Sequence, residues 1–129
     1  MQLDEIRSFS ADQERGAWFD LSDPVTGQPT GIRLKIAGPD SETQNRARLR
    51  LADDLSEMAD ADGRVSAEAR ERARIESLAR CVLAWEVTED GAPVPHTHAN
   101  VVRLLRAGHW VQIQVDSFAS DRAAHRGAA

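Results

Sequence analysis

LSDPVTGQPTGIRLKIAGPDSE, residues 21–42, sets three glycines and three prolines around one alternating apolar run. Asp23-Pro24-Val25-Thr26-Gly27 suits a four-residue hairpin loop, because Pro24 presets φ at the first turn position and Gly27 tolerates the left-handed conformation that closes it. Counting outward, Asp23 faces Gln28, Leu21 faces Thr30, Phe19 faces Ile32 and Ala17 faces Leu34. Ala17, Phe19, Leu21, Ile32, Leu34 and Ile36 then share one face, and Asp20, Arg33 and Lys35 share the other. That is a half-buried antiparallel ribbon over residues 17–37. Trp18 falls on the polar face opposite Arg33, either as a cross-strand cation–π pair or as an exposed aromatic anchor for a partner. Pro29 has no N–H for a ladder and suits an edge. A lone ribbon is marginal, so it must pack on something else.

The remainder reads as helical. Ser41-Glu42-Thr43-Gln44 is a capping-box pattern, followed by a stripe at Ala47, Leu51, Leu55 and Met58. This predicts a helix over about 41–60, stopped by Ala61-Asp62-Gly63. Ser66 caps a second helix over 66–86, charge-laced at first and then apolar at Ile75, Leu78, Val82 and Trp85. Glu89-Asp90-Gly91 turns the chain into an extended connector held by Pro93 and Pro95. Thr97 caps a short helix over 97–107 carrying Val101, Leu104 and Leu105, with Gly108 as its stop. Residues 110–124 fit a strand by the alternation of Val111, Ile113 and Val115, and a helix by Val111, Val115 and Phe118; the helix extends comfortably through Ala119 to Ala124 and is preferred. Residues 1–16 are expected to be a flexible arm and 126–129 a flexible tail, around a single domain at 17–125. The expected fold is α+β and mostly α-helical, an N-terminal β-hairpin packed on about four helices.

Composition narrows the function. The 129 residues carry a net charge of −5, with 15 arginines and one lysine among the 16 basic residues, and give no strong basic field for nucleic acid. No apolar run approaches the ~18 residues that cross a bilayer. The polar N-terminus reads as neither a secretory signal nor a transit peptide, and the single cysteine, Cys81, fits a reducing cytoplasm.

Few residues suggest chemistry. Asp60-Ala61-Asp62-Gly63 resembles part of a calcium loop, but Met58 and Ala69 stand where essential oxygen ligands belong. His96 and His98 give two metal ligands where zinc wants three or four. Cys81 lies among Leu78, Val82 and Leu83 and reads as a packed thiol. Asp53 and Asp54, adjacent on a helix, point about 100° apart and cannot share a proton. Gly27, Gly31 and Gly38 lack phosphate-loop spacing. Arg70, Arg72, Arg74 and Arg80, interleaved with Glu68, Glu71 and Glu76, read as a solvated face. The expectation is a protein without catalytic activity, cofactor or metal.

Two segments carry a resemblance: Trp18 to Ser41 and Trp85 to His125. Their Asp23-Pro24-Val25-Thr26-Gly27 turn, Asp40-Ser41, Trp85, Asp90-Gly91-Ala92-Pro93, Thr97 with Asn100, and Phe118 with Asp121-Arg122 follow one another as in the tail assembly chaperones of long-tailed bacteriophages and prophages, which the chain resembles. It departs from them at Thr97-His98-Ala99-Asn100, where a glutamate is expected before the asparagine, and after Arg122, where an aromatic is usual. The resemblance implies an interaction protein of the host cytoplasm that binds and solubilises the tape-measure protein, helps recruit tail tube subunits, self-associates and is absent from the finished particle. It implies no nucleic-acid or membrane partner. Trp18, Trp85, Leu104, Leu105, Trp110 and Phe118 are the candidate contacts, each also a natural core residue. The alternatives are a structural virion component, such as a tail-completion or head–tail connector subunit, and a small regulatory nucleic-acid binder.

Overall fold

β1 (Ala17–Ser22) and β2 (Pro29–Ile36) flank the expected loop. The Asp23 N–H donates to the Gln28 carbonyl at 2.8 Å, and the Asp23 carboxylate accepts from the N–H groups of Val25 and Thr26 at 2.8 and 3.0 Å. The register differs from the simple count. Phe19 faces Leu34, Ala17 faces Ile36 and Trp18 faces Lys35. Between the Ser22–Pro29 and Asp20–Arg33 pairs, Leu21 alone opposes Thr30, Gly31 and Ile32. Gly31 takes a φ of 87° to make this bulge, and the Thr30 hydroxyl fills the missing ladder by donating to the Leu21 carbonyl at 2.8 Å and accepting from the Ile32 N–H at 3.2 Å. A shift of two residues leaves every side chain on its expected face. The computed structural model describes residues 1–126; of the tail expected at 126–129, residues 127–129 lie outside them.

The second expected helix divides. α3 (Ala67–Ala79) ends at Arg80, and β3 (Val82–Glu86) adds to the free edge of β2, giving an antiparallel sheet in the order β1-β2-β3. Val82 and Trp85, three residues apart, fit a helical stripe and would point to opposite faces of a regular strand; a register shift that skips Leu83, between the Lys35–Ala84 and Ile36–Val82 pairs, sets them opposite Ile36 and Leu34 on one face. The ribbon's unpaired edge decides between helix and strand, because a third strand satisfies backbone groups that a helix would leave to water. A second departure is the short hairpin of β4 (Thr88–Glu89) and β5 (Ala92–Pro93), whose turn residues Asp90 and Gly91 have φ of 52° and 79°.

The N-terminus is a helix and not the expected arm. α1 (Leu3–Arg15) has Asp4 and Glu5 in its first turn and Arg15 in its last, a charge order that suits the helix dipole. Its last turn is tied down. Gln13 is fully buried; its carbonyl accepts from the Gly38 N–H at 2.9 Å, and its amide exchanges bonds with Asp40, accepting from the backbone N–H at 2.7 Å and donating to the carboxylate at 3.1 Å. Gly38 is required there, because a Cβ would sit 2.8 Å from the Gln13 side chain. Glu14 accepts from the Thr43 N–H and hydroxyl; burial alone would raise its carboxyl pKa, but those bonds outweigh it and hold the group below the usual range.

α2 (Glu42–Met58) and α3 form a hairpin, each capped by the expected serine: Ser41 accepts from the Gln44 N–H and Ser66 from the Ala69 N–H, both at 3.1 Å. Of the α2 stripe only Ala47 is buried, while Leu51, Leu55 and Met58 are half-buried. α4 (His98–Arg106) is capped by Thr97, as its sequence indicated. α5 (His109–Ala119) is shorter than the 110–124 expected; the chain breaks at Ser120 and resumes as one 3₁₀ turn, Ala123–His125. The break lets Arg122 reach Asp40, at 2.7 and 3.0 Å through two guanidinium nitrogens.

The helices cover the sheet face of Leu34 and Ile36, both fully buried, and the core continues through Leu78, Val101, Leu105 and Val115. Among the described residues the fold is α+β and mostly helical, with five α-helices and the hairpin following the first.

Leu34 lies at the centre of the middle strand with no exposed surface, so Leu34→Ala should cost about 2–5 kcal/mol in urea unfolding. The Arg122 guanidinium foremost, then Gln13, hold the Asp40 carboxyl below its usual range against the opposing effect of burial. Its contribution is complete above the unfolded carboxylate pKa of about 3.9 and is lost as pH falls through the lower folded value. Acid titration of stability should therefore be shallower in Asp40→Asn than in the parent, and Arg122→Gln should flatten it in the same range.

Candidate partner-contact surface

The inner face of β3 and the exposed side of α4 leave a cleft between them. Trp85, opposite Leu34 in the sheet, donates its indole N–H to the Val94 carbonyl at 2.8 Å, which holds the ring against the segment after β5. Val101 and Leu105 turn the core side of α4 inward, leaving Leu104 half-exposed on the adjoining strip. Ile32, Trp85, Val87, Val94 and Leu104 line about 210 Å³ of mostly apolar space. Arg103 and Glu89 close its rim with an ion pair of 2.8 Å.

A shallower cleft of about 300 Å³ lies where α5 crosses β1. Phe19 and Phe118 stack at 4.9 Å between ring centres, and Ile113, 56% exposed, stands beside them. Gln114 fixes this crossing. Its amide accepts from the Ser22 N–H at 3.0 Å and donates to the Ser22 carbonyl at 2.9 Å, filling the outer edge of β1 as a paired strand would.

The six expected contact residues therefore separate. Trp85 and Leu104 meet in one cleft, and Phe118 borders the other. Trp18 lies on the outer sheet face, 40% exposed, with the Arg33 guanidinium 4.7 Å from its ring centre; Arg33 also bonds Asp20 and Glu86. Trp110 is half-buried against the core. Leu105 is fully buried and belongs to the core, because it lies on the side of α4 that packs against α3 and α5.

Ile32, expected on the inner ribbon face, Ile113 and the apolar side of α1 were not among the expected contacts. Leu3 and Ile6 are 60% and 49% exposed on that helix, and with Phe9 they recur every three residues, a helical signal visible in the sequence. Met1 and Phe9 face Arg122 and Arg126 across an open groove of about 710 Å³.

Compared with known proteins, the chain matches no family model, no curated protein and no solved structure.

The residues read for chemistry have structural partners. The Asp60 carboxylate accepts from the N–H groups of Asp62 and Arg64, both at 2.9 Å, and shapes the α2–α3 turn. His96 Nε2 lies 3.1 Å from the Val82 carbonyl oxygen, and among the described residues no group of three or more His, Cys, Asp or Glu is arranged to hold a metal. Within the arginine comb, Arg74 donates to Gln112 at 2.6 Å and Arg80 to the buried Asp54 at 3.4 Å, with Arg50 on the other Asp54 oxygen at 2.9 Å. Asp53 remains exposed, so the adjacent carboxylates diverge as helix geometry requires. No helix among the described residues is long and apolar enough to cross a membrane.

Burial pushes the Cys81 thiol up to about 11. That lowers its thiolate fraction at neutral pH by about 100-fold against an ordinary cysteine, before steric exclusion is counted. Native protein should react with a thiol-specific disulfide reagent at least that much more slowly than unfolded protein, as followed by absorbance.

Proposed function

We propose that this chain is a tail assembly chaperone of a long-tailed phage or prophage, an interaction protein that keeps the tape-measure protein soluble in the host cytoplasm and helps recruit tail tube subunits. The observation that carries the reading is the ordered set of segments resembling that family, together with what those residues do. Asp40 and Arg122 bond one another across 82 positions, Ser41 and Thr97 cap helices, and Trp85 is pinned to Val94. Residues that join distant segments are ones a shared fold requires, so their common order favours a common architecture over chance composition.

The surface suits such work. The apolar cleft at Trp85 and Leu104, the Phe19–Phe118 cleft and the exposed side of α1 offer separate apolar strips to an amphipathic helix. A net charge of −5 favours solubility of the pair.

Co-expression with the tape-measure protein of the phage or prophage that encodes this chain is the test. The soluble yield of that client should rise several-fold with this chain and fall back with Leu104→Glu, which leaves the buried core of α4 intact. Equal insolubility of the client with and without the chain would refute the proposal. Recovery of the chain as a stoichiometric part of purified particles would instead favour the connector reading.

A further inference from the structure

His125 is 1% exposed, and both of its ring nitrogens face backbone carbonyls. Nδ1 lies 2.8 Å from the Asp121 oxygen in its own turn, and Nε2 lies 3.0 Å from the Ile36 oxygen at the end of β2. A carbonyl oxygen only accepts. A neutral imidazole has one N–H and one lone pair, so it serves one of these oxygens and turns a lone pair toward the other; the doubly protonated ring serves both. The ring is also packed 5.0 Å from Phe118, which leaves it little freedom to turn elsewhere.

We infer that His125 is a protonation-dependent latch: the doubly protonated ring ties the C-terminal turn to the central strand, and loss of one proton releases the Ile36 carbonyl. The long-range bond is the one surrendered, because Asp121 is only four residues away and moves with the turn. The neighbouring Arg126 is exposed on the groove beside α1, and the other nearby charges have partners. Asp121 accepts from the Ala124 N–H at 3.2 Å, Arg122 is bonded to Asp40, and Asp12 on α1 is paired with Arg15. On β2 the neighbouring Lys35 takes the opposite face of the sheet, and on α5 the residue against the ring is the uncharged Phe118. Release removes the direct bond between the turn and β2, leaving Arg122–Asp40 as its long-range ion pair, and loosens the cover over Phe118 beside the Phe19 cleft, so the latch controls how much of that apolar surface is presented.

The full-length chain, labelled with ¹⁵N histidine, provides the test at about pH 5.5 and about pH 8.5. Both values lie above the carboxylate range, so Asp40 and Glu14 stay ionised. At the lower pH both His125 ring nitrogens should carry protons. At the higher pH one should be lost, and exchange of the His125 and Arg126 amides, corrected for intrinsic rates, should quicken on the order of tenfold, as loss of one charge-assisted bond requires. His125→Phe keeps a ring in the site without a titrating group and should abolish that pH dependence. A ring carrying one proton at both pH values would overturn the latch, as would equal exchange at both or an undiminished pH dependence in His125→Phe. Should that variant fail to fold, the ring-nitrogen signals of the parent decide alone.

Discussion

The bidentate bond between Arg122 and Asp40 is the constraint on which the arrangement of both chain ends depends. Asp40 sits in the short loop between β2 and α2, where the Gln13 amide bonds both its backbone and its carboxylate. One aspartate therefore anchors α1 from one side and the C-terminal turn from the other. Gln44 braces the same corner by donating to the carbonyls of Ala37 and Ala119 at 2.8 and 2.7 Å. The Arg122–Asp40 pair is partly exposed, and such pairs are individually weak. Its structural weight comes from geometry: α5 ends early so that Arg122 can make it, and that ending brings His125 to β2.

A second constraint is the treatment of the sheet edges. β1 is covered at Ser22 by a glutamine amide from α5, and the chain after β5 follows β3 through the Trp85–Val94 and His96–Val82 contacts. Those coverings also make the clefts, since a side chain or loop laid along an edge leaves a crease where it departs from the helices. The partner-contact candidates thus arise from the same packing that protects the sheet. The outer sheet face stays polar, with Arg33 bridging Trp18, Asp20 and Glu86.

This division bears on the proposed role. The residues that carry the family resemblance lie mainly at joints, and the apolar residues that could meet a client lie between those joints. A chaperone of an extended apolar helix needs several modest strips rather than one deep pocket, because its client presents a repeating face. The described surface has that character, with apolar side chains at three shallow clefts.

The sequence by itself determined what local physics decides. The Asp23–Gly27 turn, the two faces of the hairpin and the serine and threonine caps of α2, α3 and α4 all follow from dihedral preference and from orphan helix N–H groups, which act within a few residues. Only the tertiary structure decided the rest. Val82 and Trp85 fit the helical period and not the strand's, yet the open edge of β2, nearly fifty residues earlier, selects the strand, and a register shift at Leu83 keeps both on one face. The two-residue bulge at Gly31 keeps the face pattern, so alternation carried no sign of it. α1 became ordered because Gln13 found Asp40, and Leu105 went inward because α4 packs on α3 and α5. In each case the deciding partner is distant in sequence, and its contribution exists only once the chain has closed on itself.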